Sequence, residues 1–383
     1  MRAPLPLLSA AAAAAAVALV ALLAGCQAPA PDPVSPPLPA PPAASGVQPA
    51  GTPVDVATGF SAPWSMVEVP AQGGDSTWLV SQRDDASVFL LVPQGDGYTA
   101  RRLGTVPGVA PGGEGGLLGL AYLDDGETEW LYAYLTAASG NRIVRIAFGD
   151  EGAVTSEPEV VLDGIQKAGN HNGGRIAFGP DGMLYATTGD ASQPALSQDP
   201  RSLNGKILRM TPTGERPDDN PIEGSLAYSL GHRNPQGLAW DDAGQLWAAE
   251  FGQNTWDELN RIEPGGNYGW PEVEGAGGSP GFIDPWAQWP TDQASPSGLT
   301  YVGGTFFLAA LGGERLWAIY VDEEAQRADP VEWFPGEYGR IRDVAPGPGG
   351  SLWMMTNNTD GRGSPRDGDD RILEVRLTEL QEG

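Results

Sequence analysis

The sequence predicts an all-β protein, a six-bladed β-propeller of four-stranded antiparallel blades. Glycine and proline account for 54 and 36 of the 383 residues, and only 19% of residues are charged. That composition suits many short strands joined by tight turns better than long helices. No stretch after residue 50 shows a sustained 3.6-residue apolar period. A turn-and-strand unit instead recurs six times, at intervals of about 35 to 70 residues that match propeller blades.

Each copy of the repeat is a Gly/Asp-rich turn followed by a run that opens with a large apolar pair, which is typical of a buried strand. The six copies span residues 74–80, 124–134, 180–186, 243–248, 312–318 and 349–354. The short final interval indicates that an N-terminal strand near residues 54–59 completes the last blade and closes the ring. A β-sandwich or two smaller β domains would not naturally give six equivalent units.

The N-terminus has the features of a targeting segment. Arg2 precedes an apolar run, and Leu-Ala-Gly follows it and ends at Cys26, the only cysteine. A charged start, an apolar stretch and a small-residue processing site are typical of a secretory signal, and the end of the segment resembles a bacterial lipoprotein box. Residues 1–26 are therefore predicted to be a lipoprotein signal peptide, with Cys26 lipidated and the protein held outside the cytoplasmic membrane. An uncleaved anchor is the alternative, because the run nearly reaches the length of a membrane span.

Residues 27–53 are dominated by proline, alanine and small polar residues. Such a segment buries too little apolar surface to fold, so a disordered, semi-rigid tether is predicted, and residues 54–383 are left for the propeller. The formal net charge of −27 argues against a nucleic-acid partner, because no basic stretch is present to displace counterions. With one cysteine, intramolecular disulfides are excluded.

His171 is one of only two histidines, and glycines flank it on both sides. Glycine lets the backbone approach a ligand closely, so this loop is a candidate site. Asp190 ends the strand that His171 introduces, and a turn could bring its carboxylate to the imidazole. A carboxylate partner fixes the tautomer and raises the basicity that a general base needs. A histidine satisfied by backbone hydrogen bonds remains the alternative.

The run from Gly231 to Gly237 concentrates a cation and two amides within a few positions. The guanidinium of Arg233 suits a planar carboxylate or a quinone oxygen, with Asn234 beside it. His232, in the same run, is expected to have a structural role rather than a catalytic one.

Two further stretches are ambiguous from residues alone. Residues 250–271 are dense in carboxylates, amides and glycines, as a calcium site requires, but they lack EF-hand spacing, and an ordinary polar turn is the simpler interpretation. Arg340 and Arg342 would lie on one face of a strand. They could bind an anionic ligand or pair with carboxylates of this acidic chain.

Together these stretches resemble the soluble quinoprotein sugar dehydrogenases, the family of glucose/sorbosone and aldose sugar dehydrogenases. Members fold as six-bladed propellers that bind pyrroloquinoline quinone (PQQ) with calcium. The resemblance covers most of the globular region, with matching segments in the same order. They are residues 115–121, the block around His171, and residues 205–209, 231–237, 257–260, 266–271, 296–299 and 340–344.

The resemblance implies a role for each matching residue of the catalytic and cofactor sites. His171 matches the general base, which removes the proton of the anomeric hydroxyl while hydride passes to the quinone. Asp190 matches the carboxylate that supports this histidine. Arg233 and Asn234 match residues that contact PQQ, with Arg233 also near the reacting carbonyl.

The resemblance also implies two calcium sites. Gly252 and Gln253 match positions whose backbone carbonyls hold the calcium that polarises the cofactor, as a Lewis acid does. Glu258 and the carbonyl of Tyr268 match a second, structural calcium site.

Arg340 and Arg342 match the arginines that grip the PQQ carboxylates, and three positions depart from the family pattern. Glu114 stands where glucose dehydrogenases carry a glutamine, and Asn170 replaces an aspartate that touches substrate in some members. Around residues 312–313 no lysine is present where glucose-specific members place one that binds cofactor. The missing lysine weakens one contact to PQQ and favours the broader aldose sugar dehydrogenase branch over strict glucose specificity.

The resulting prediction is a PQQ- and calcium-dependent enzyme that oxidises aldose sugars at the anomeric carbon to lactones. It would pass electrons to an unidentified acceptor and touch the membrane only through its lipid anchor. The alternatives are a non-catalytic surface propeller that binds sugar or protein, and a calcium-dependent lactonase.

Overall fold

A computed structural model describes residues 46–70, 76–148 and 157–380. Within these ranges, 24 strands form six four-stranded sheets. The only helices of the described ranges are two short 3₁₀ turns, Pro194–Ser197 and Pro348–Gly350. Neighbouring strands of each sheet are antiparallel. The six sheets form the blades of a ring, so the predicted six-bladed β-propeller is confirmed.

The first five blades each take four consecutive strands, and the sixth takes the last three strands together with the first. The strands in chain order are β1 (Val47–Thr58), β2 (Pro63–Val69), β3 (Thr77–Gln82), β4 (Ser87–Gln94), β5 (Gly97–Thr105), β6 (Leu117–Asp124), β7 (Glu129–Thr136), β8 (Asn141–Ala147), β9 (Glu159–Ile165), β10 (Ile176–Phe178), β11 (Leu184–Thr188), β12 (Lys206–Met210), β13 (Ala227–Leu230), β14 (Pro235–Trp240), β15 (Leu246–Glu250), β16 (Trp256–Arg261), β17 (Ala287–Pro290), β18 (Pro296–Val302), β19 (Thr305–Ala310), β20 (Arg315–Asp322), β21 (Arg327–Trp333), β22 (Ile341–Pro346), β23 (Leu352–Thr356) and β24 (Arg371–Glu379).

The N-terminal strand closes the ring as predicted. β1 pairs antiparallel with β24, from Val47 opposite Glu379 to Thr58 opposite Arg371. Blade 6 is thus made from both ends of the globular region.

The boundary of the predicted tether is wrong, because β1 already begins at Val47, inside residues 27–53. Pro49 and Pro53 lie in this strand, and β1 is the edge of its sheet. A proline at an edge can leave its missing N–H on the unpaired side, so a Pro-rich composition does not exclude a strand there. Residues 1–45, including Cys26, lie outside the described residues. No helix in the described part of the chain is long and apolar enough to span a membrane.

The repeat marks the equivalent strand in five of the six blades, and blade 5 is the exception. Five copies lead into the second strand of their blade, namely β3, β7, β11, β15 and β23. The copy at residues 312–318 leads into β20, the third strand of blade 5. The second strand there is β19, which follows a turn at Gly303 and Gly304. Both strands are buried and aromatic, so the pattern alone cannot distinguish them.

Aromatic residues of the second strands pack between neighbouring blades. The rings of Trp78 in blade 1 and Trp353 in blade 6 lie 5.0 Å apart, and those of Trp247 and Phe306 in blades 4 and 5 also lie 5.0 Å apart. Trp247 and Trp353 are fully buried. Such pairs combine large apolar burial with favourable ring geometry, which explains why the repeat carries an aromatic residue.

The first strand of each blade lies innermost, so residues far apart in sequence meet at the centre. Arg175, just before β10, forms a 3.1 Å salt bridge with Asp343 of β22. The same guanidinium lies 4.5 Å from the ring centre of Trp64 in β2. This buried cluster joins three blades at the centre of the ring.

Candidate active site

A cavity of about 210 Å³ lies at one end of the channel, above Trp64. Strand ends and loops of blades 1, 2, 4, 5 and 6 supply its lining. The lining residues are Trp64, Glu114, Gln236, Phe251, Ser295, Leu311, Arg340, Arg342 and Arg362. The loop of blade 3 that carries His171 joins this wall, because Glu114 Oε2 accepts a 3.0 Å hydrogen bond from the His171 backbone N–H.

His171 and Asp190 form the hydrogen-bonded pair that the sequence predicted. His171 Nδ1 lies 2.7 Å from Asp190 Oδ1, and the imidazole is 13% exposed while the carboxylate is fully buried. With Nδ1 donating to the carboxylate, Nε2 is the ring nitrogen that can accept a proton. His171 has φ of +57°, a sparsely populated region for a non-glycine residue that is often found at functional sites.

Two further donors fix the Asp190 carboxylate. The backbone N–H of Ser192 donates to Oδ1 at 2.7 Å, and the indole N–H of Trp270 donates to Oδ2 at 2.9 Å. Trp270 lies in residues 266–271, a run that matches the family pattern and contains Tyr268, but no sequence pattern indicated a role for the Trp270 side chain. Its side chain is 8% exposed, and its ring centre lies 5.6 Å from the guanidinium carbon of Arg233. The indole therefore connects the base and its carboxylate to the neighbouring cation.

Arg233 is a cation without a carboxylate partner among the described ion pairs. Its Nη1 donates to the Phe251 carbonyl at 3.3 Å, and its Nε is buried without a hydrogen bond. Burial lowers the pKa of Arg233, against the opposing effect of Asp190 and other acidic groups. A buried guanidinium with an unused donor is suited to an oxygen of a ligand.

Asn234 ties the His171 loop to blade 4. Its side-chain oxygen accepts a 3.0 Å bond from the Gly173 N–H, and the residue is 2% exposed. Its predicted contact with a cofactor has no counterpart among these bonds and stays a prediction.

Arg340 and Arg342 both line the cavity and both approach Asp360, which the sequence analysis missed. Arg340 Nη2 lies 3.0 Å and Arg342 Nη2 3.9 Å from Asp360 Oδ2, while Arg342 Nη1 donates to Gln236 Oε1 at 2.9 Å. The Nε of each arginine is buried without a partner. Burial lowers the pKa of Arg342 to about 9. The two arginines thus pair with a carboxylate and keep donors for an anionic ligand.

Glu114 and Asn170 both lie beside the His171 loop. Besides its bond to the His171 backbone, Glu114 forms a 2.9 Å salt bridge with Arg362, a cavity residue that the sequence analysis did not single out. Its only sequence signal is an arginine within the glycine-rich run of residues 360–363. Asn170 accepts a hydrogen bond from the Ser192 hydroxyl on an exposed face.

The loop that contains Gly252 and Gln253 is held by carboxylates. Asp257 Oδ1 accepts the Gly252 N–H at 2.8 Å, and Glu274 Oε1 accepts the N–H of Gln253 at 2.6 Å and those of the next three residues. A Cβ on Gly252 would lie 1.7 Å from the Trp256 carbonyl oxygen, so only glycine fits. Burial raises the pKa of Glu274 but these backbone donors lower it more, and the net direction is down.

Glu258 is a buried carboxylate next to an unsatisfied amide oxygen. It accepts from the Gly275 N–H at 2.7 Å and from Asn260 Nδ2 at 3.0 Å, while Asn260 Oδ1 is buried without a partner. Burial, followed by the charge of Glu250 on the paired strand, raises the pKa of Glu258 to about 8. The described residues contain no group of three or more His, Cys, Asp or Glu side chains placed to hold a metal. A calcium ion there would need backbone carbonyls as well.

His232 has a structural position, which agrees with the expectation from the sequence. It is fully buried, and its ring nitrogens lie 2.8 Å from Glu250 Oε2 and 2.8 Å from the Ser229 hydroxyl. Its ring stacks on that of Tyr268 with centroids 4.8 Å apart. Both nitrogens are used, so His232 orders the wall behind Arg233.

Comparisons with known proteins agree with this arrangement. Residues 60–365 match the family model described as Glucose / Sorbosone dehydrogenase. Aldose sugar dehydrogenase YliI of Escherichia coli (strain K12) is 30% identical over 336 residues, which cover 78% of this chain and 88% of that protein.

Two solved structures have the same fold along most of the chain. The PQQ-bound aldose sugar dehydrogenase from Streptomyces coelicolor is 53% identical, with a TM-score of 0.81, and the match covers 88% of this chain and 100% of that one. The soluble aldose sugar dehydrogenase from Escherichia coli, in its apo form, is 26% identical with a TM-score of 0.72, covering 85% and 99%. With a family model matching most of its length, this chain belongs to the glucose/sorbosone dehydrogenase family.

Proposed function

We propose that this protein oxidises aldose sugars at the anomeric carbon to lactones, with PQQ as cofactor, calcium as its companion ion and His171 as general base. One observation carries the proposal, the 2.7 Å bond between His171 Nδ1 and a fully buried Asp190 beside an arginine-lined cavity. The PQQ-bound state of the Streptomyces coelicolor relative supports the choice of cofactor.

The cavity residues fit a planar anion with several carboxylates. Arg340 and Arg342 would hold its carboxylates, since each has a buried Nε without a partner, and Arg233 would contact it from the side of the base. Unsatisfied buried donors are costly, so a ligand that accepts from them is favoured. Bound there, PQQ would supply a quinone that accepts the hydride of the sugar and, with it, both electrons of the oxidation.

The side chains of the chain itself perform the proton transfer. His171 Nε2 removes the proton of the anomeric hydroxyl, and the buried Asp190 stabilises the imidazolium that results. Ser192 and Trp270 keep the carboxylate aimed at Nδ1 throughout. Glu114 and Asn170, which both lie beside the His171 loop, are the proposed contacts to the sugar.

Calcium is assigned to two places. The carbonyls of Gly252 and Gln253 would hold an ion next to the cofactor, where a Lewis acid polarises it. Glu258, Asn260 Oδ1 and the Tyr268 carbonyl would hold a structural ion. The unsatisfied amide oxygen of Asn260 and the raised pKa of Glu258 are both features that a cation would relieve.

Cys26 lies outside the described residues. We propose that the signal peptide is cleaved before Cys26 and that a lipid on this cysteine attaches the protein to the membrane. The protein would then act outside the cytoplasmic membrane and deliver electrons to an acceptor that remains unidentified. A Cys26→Ser variant should appear in the soluble extracytoplasmic fraction, whereas unchanged membrane attachment would argue against the lipid anchor.

The central experiment is reconstitution of the metal-free, cofactor-free protein with calcium and PQQ, followed by dye reduction with a panel of aldoses. We expect reduction with one or more aldoses, and none for His171→Gln, which should still bind PQQ. No dye reduction with any aldose would overturn the enzyme proposal, and absence of saturable PQQ binding even with calcium would favour a non-catalytic propeller that binds sugar or protein. Lactone hydrolysis in the absence of PQQ would favour a lactonase.

A further inference from the structure

Arg362 stands at the mouth of the cavity and is the third arginine of its lining. It lies in the loop between β23 and β24 and forms a 2.9 Å salt bridge with Glu114, in the loop before β6. The Arg362 side chain is 57% exposed, whereas those of Arg340 and Arg342 are 10% and 6% exposed. Two arginines therefore lie deep in the cavity, and one lies at its entrance.

The charges of the lining favour an anion. Among the lining residues, three arginines face one carboxylate, that of Glu114. Asp360 lies 3.0 Å from Arg340 and 3.9 Å from Arg342, so it offsets part of the charge of the two deep arginines. In a chain whose formal net charge is −27, a polyanionic ligand is repelled at long range, and local cations must overcome that repulsion.

The wall of the cavity at Leu311 supplies no cation to the lining. Leu311 lines it, and two glycines follow at 312 and 313. A Cβ at Gly312 would lie 2.4 Å from the Ser295 hydroxyl, and one at Gly313 would lie 1.9 Å from the Gln293 carbonyl oxygen. A side chain at Gly313 would require a shift of the backbone, and one at Gly312 would displace the Ser295 side chain, so packing disfavours a lysine at either position.

We propose that Arg362 provides the third cationic contact to the carboxylates of the cofactor, in place of a cation on the Leu311 wall. Glu114 orients the guanidinium toward the cavity before the cofactor arrives. This inference rests on the proposed function, because it assumes that the cavity binds PQQ. A guanidinium is well suited to this position, since its fork can bind Glu114 and a ligand carboxylate at the same time.

The test is equilibrium binding of PQQ to calcium-loaded, cofactor-free protein. Binding is monitored by the change in PQQ absorbance for wild type and four variants. Arg362→Ala should weaken binding by about 10- to 100-fold, the usual effect of losing one charge-assisted contact. Arg362→Lys should recover part of the loss. Arg327→Ala is the matched control, because Arg327 lies on the outer strand β21, is 58% exposed, and among the described residues pairs only with Asp322 and Asp329. It should bind as wild type does. The fourth variant, Glu114→Gln, separates the two partners of the salt bridge.

If Arg362 binds the cofactor, Glu114→Gln will retain most of the affinity, because its amide oxygen can still accept from the guanidinium and orient it, while Arg362→Ala will lose the affinity. Equal losses in both variants would mean that the salt bridge matters only as a bond within the protein, and would overturn the inference. So would wild-type affinity in Arg362→Ala. Absence of PQQ binding by the wild type would instead refute the proposed function, and the two failures are therefore distinguishable. Thermal melting of each variant verifies that it is folded.

Discussion

Trp270 donates its indole N–H to Asp190 across 80 positions of sequence, at 2.9 Å. The same ring lies 5.6 Å from the guanidinium carbon of Arg233. One side chain thus fixes the orientation of the carboxylate behind the proposed base and packs against the neighbouring cation. Trp270 acts through Asp190 and is a positioning residue.

Replacing Trp270 by phenylalanine removes this donor but keeps an aromatic ring. We expect kcat to fall by about 10-fold, the loss of one hydrogen bond to a charged group, with a smaller change in KM. The pH profile of kcat should also shift, because the carboxylate that sets the basicity of His171 loses a donor. Steady-state kinetics of the reconstituted enzyme between pH 5 and about 9 measure both effects.

Trp289→Phe is the matched control. Trp289 is 2% exposed and its indole nitrogen has no hydrogen-bond partner. The substitution therefore replaces the indole by a phenyl ring without breaking a hydrogen bond. If both variants lose kcat equally and keep the wild-type pH profile, Trp270 has only a packing role.

Asp190→Asn tests the pair at the centre of the site. An amide can donate to Nδ1 as well as accept, which allows the tautomer with the proton on Nε2 and blocks the base. We expect a loss in kcat on the order of 10³-fold or more, while PQQ affinity stays within a few-fold. Activity near that of wild type would show that Asp190 does not support the base.

The pairing of His171 with Asp190 could be predicted because both flank one hairpin, β10 and β11, and turn chemistry is encoded locally. The closure of blade 6 could be predicted from the number and spacing of repeats. The contacts of Trp270 with Asp190 and of Glu114 with Arg362 could not, since they join residues 80 and 248 positions apart. They depend on how the blades tilt around the channel, which strand patterns do not specify. In blade 5 the repeat at residues 312–318 marks the third strand instead of the second, because two adjacent strands have the same apolar and aromatic pattern.

Gly252→Ala tests the loop assigned to calcium. The added Cβ would meet the Trp256 carbonyl oxygen at 1.7 Å, so the loop must move and its carbonyls with it. We expect the calcium concentration that half-saturates PQQ binding to rise at least about 10-fold, since calcium affinity depends on the position of the oxygen ligands. Calcium titration of PQQ binding measures this.

Gly277→Ala is the control for that loop, because nothing lies within 4 Å of its added Cβ. It should titrate with calcium as the wild type does. If Gly252→Ala also leaves the titration unchanged, the Gly252 loop does not hold the ion that the cofactor needs.

Lys206 gives a prediction on pH and stability. The residue is fully buried. Its ammonium donates to the carbonyls of Leu196, Ser197 and Asn204 at 2.8, 3.0 and 2.8 Å. Burial lowers the pKa of Lys206 from 10.5 to about 8. Between these two values the unfolded chain binds more protons than the folded one, so this residue makes stability rise with pH across that window. Below pH 8 both states are protonated, and the full cost of burying the charge is present.

Relative to Lys206→Met, the free energy of unfolding of the wild type should therefore rise by about 3 kcal/mol as the pH passes from below the folded pKa to above the unfolded one. Urea titrations of both proteins at pH 7, 8, 9 and about 10.5 give this difference, and groups that titrate identically in the two proteins cancel. The three carbonyls oppose the effect, because they favour the charged form. Parallel pH dependences would mean that these carbonyls fully offset desolvation and that the ammonium stays charged in the folded protein. Stability of the wild type that falls relative to the variant above pH 8 would mean that the carbonyls raise the pKa beyond that of the unfolded chain.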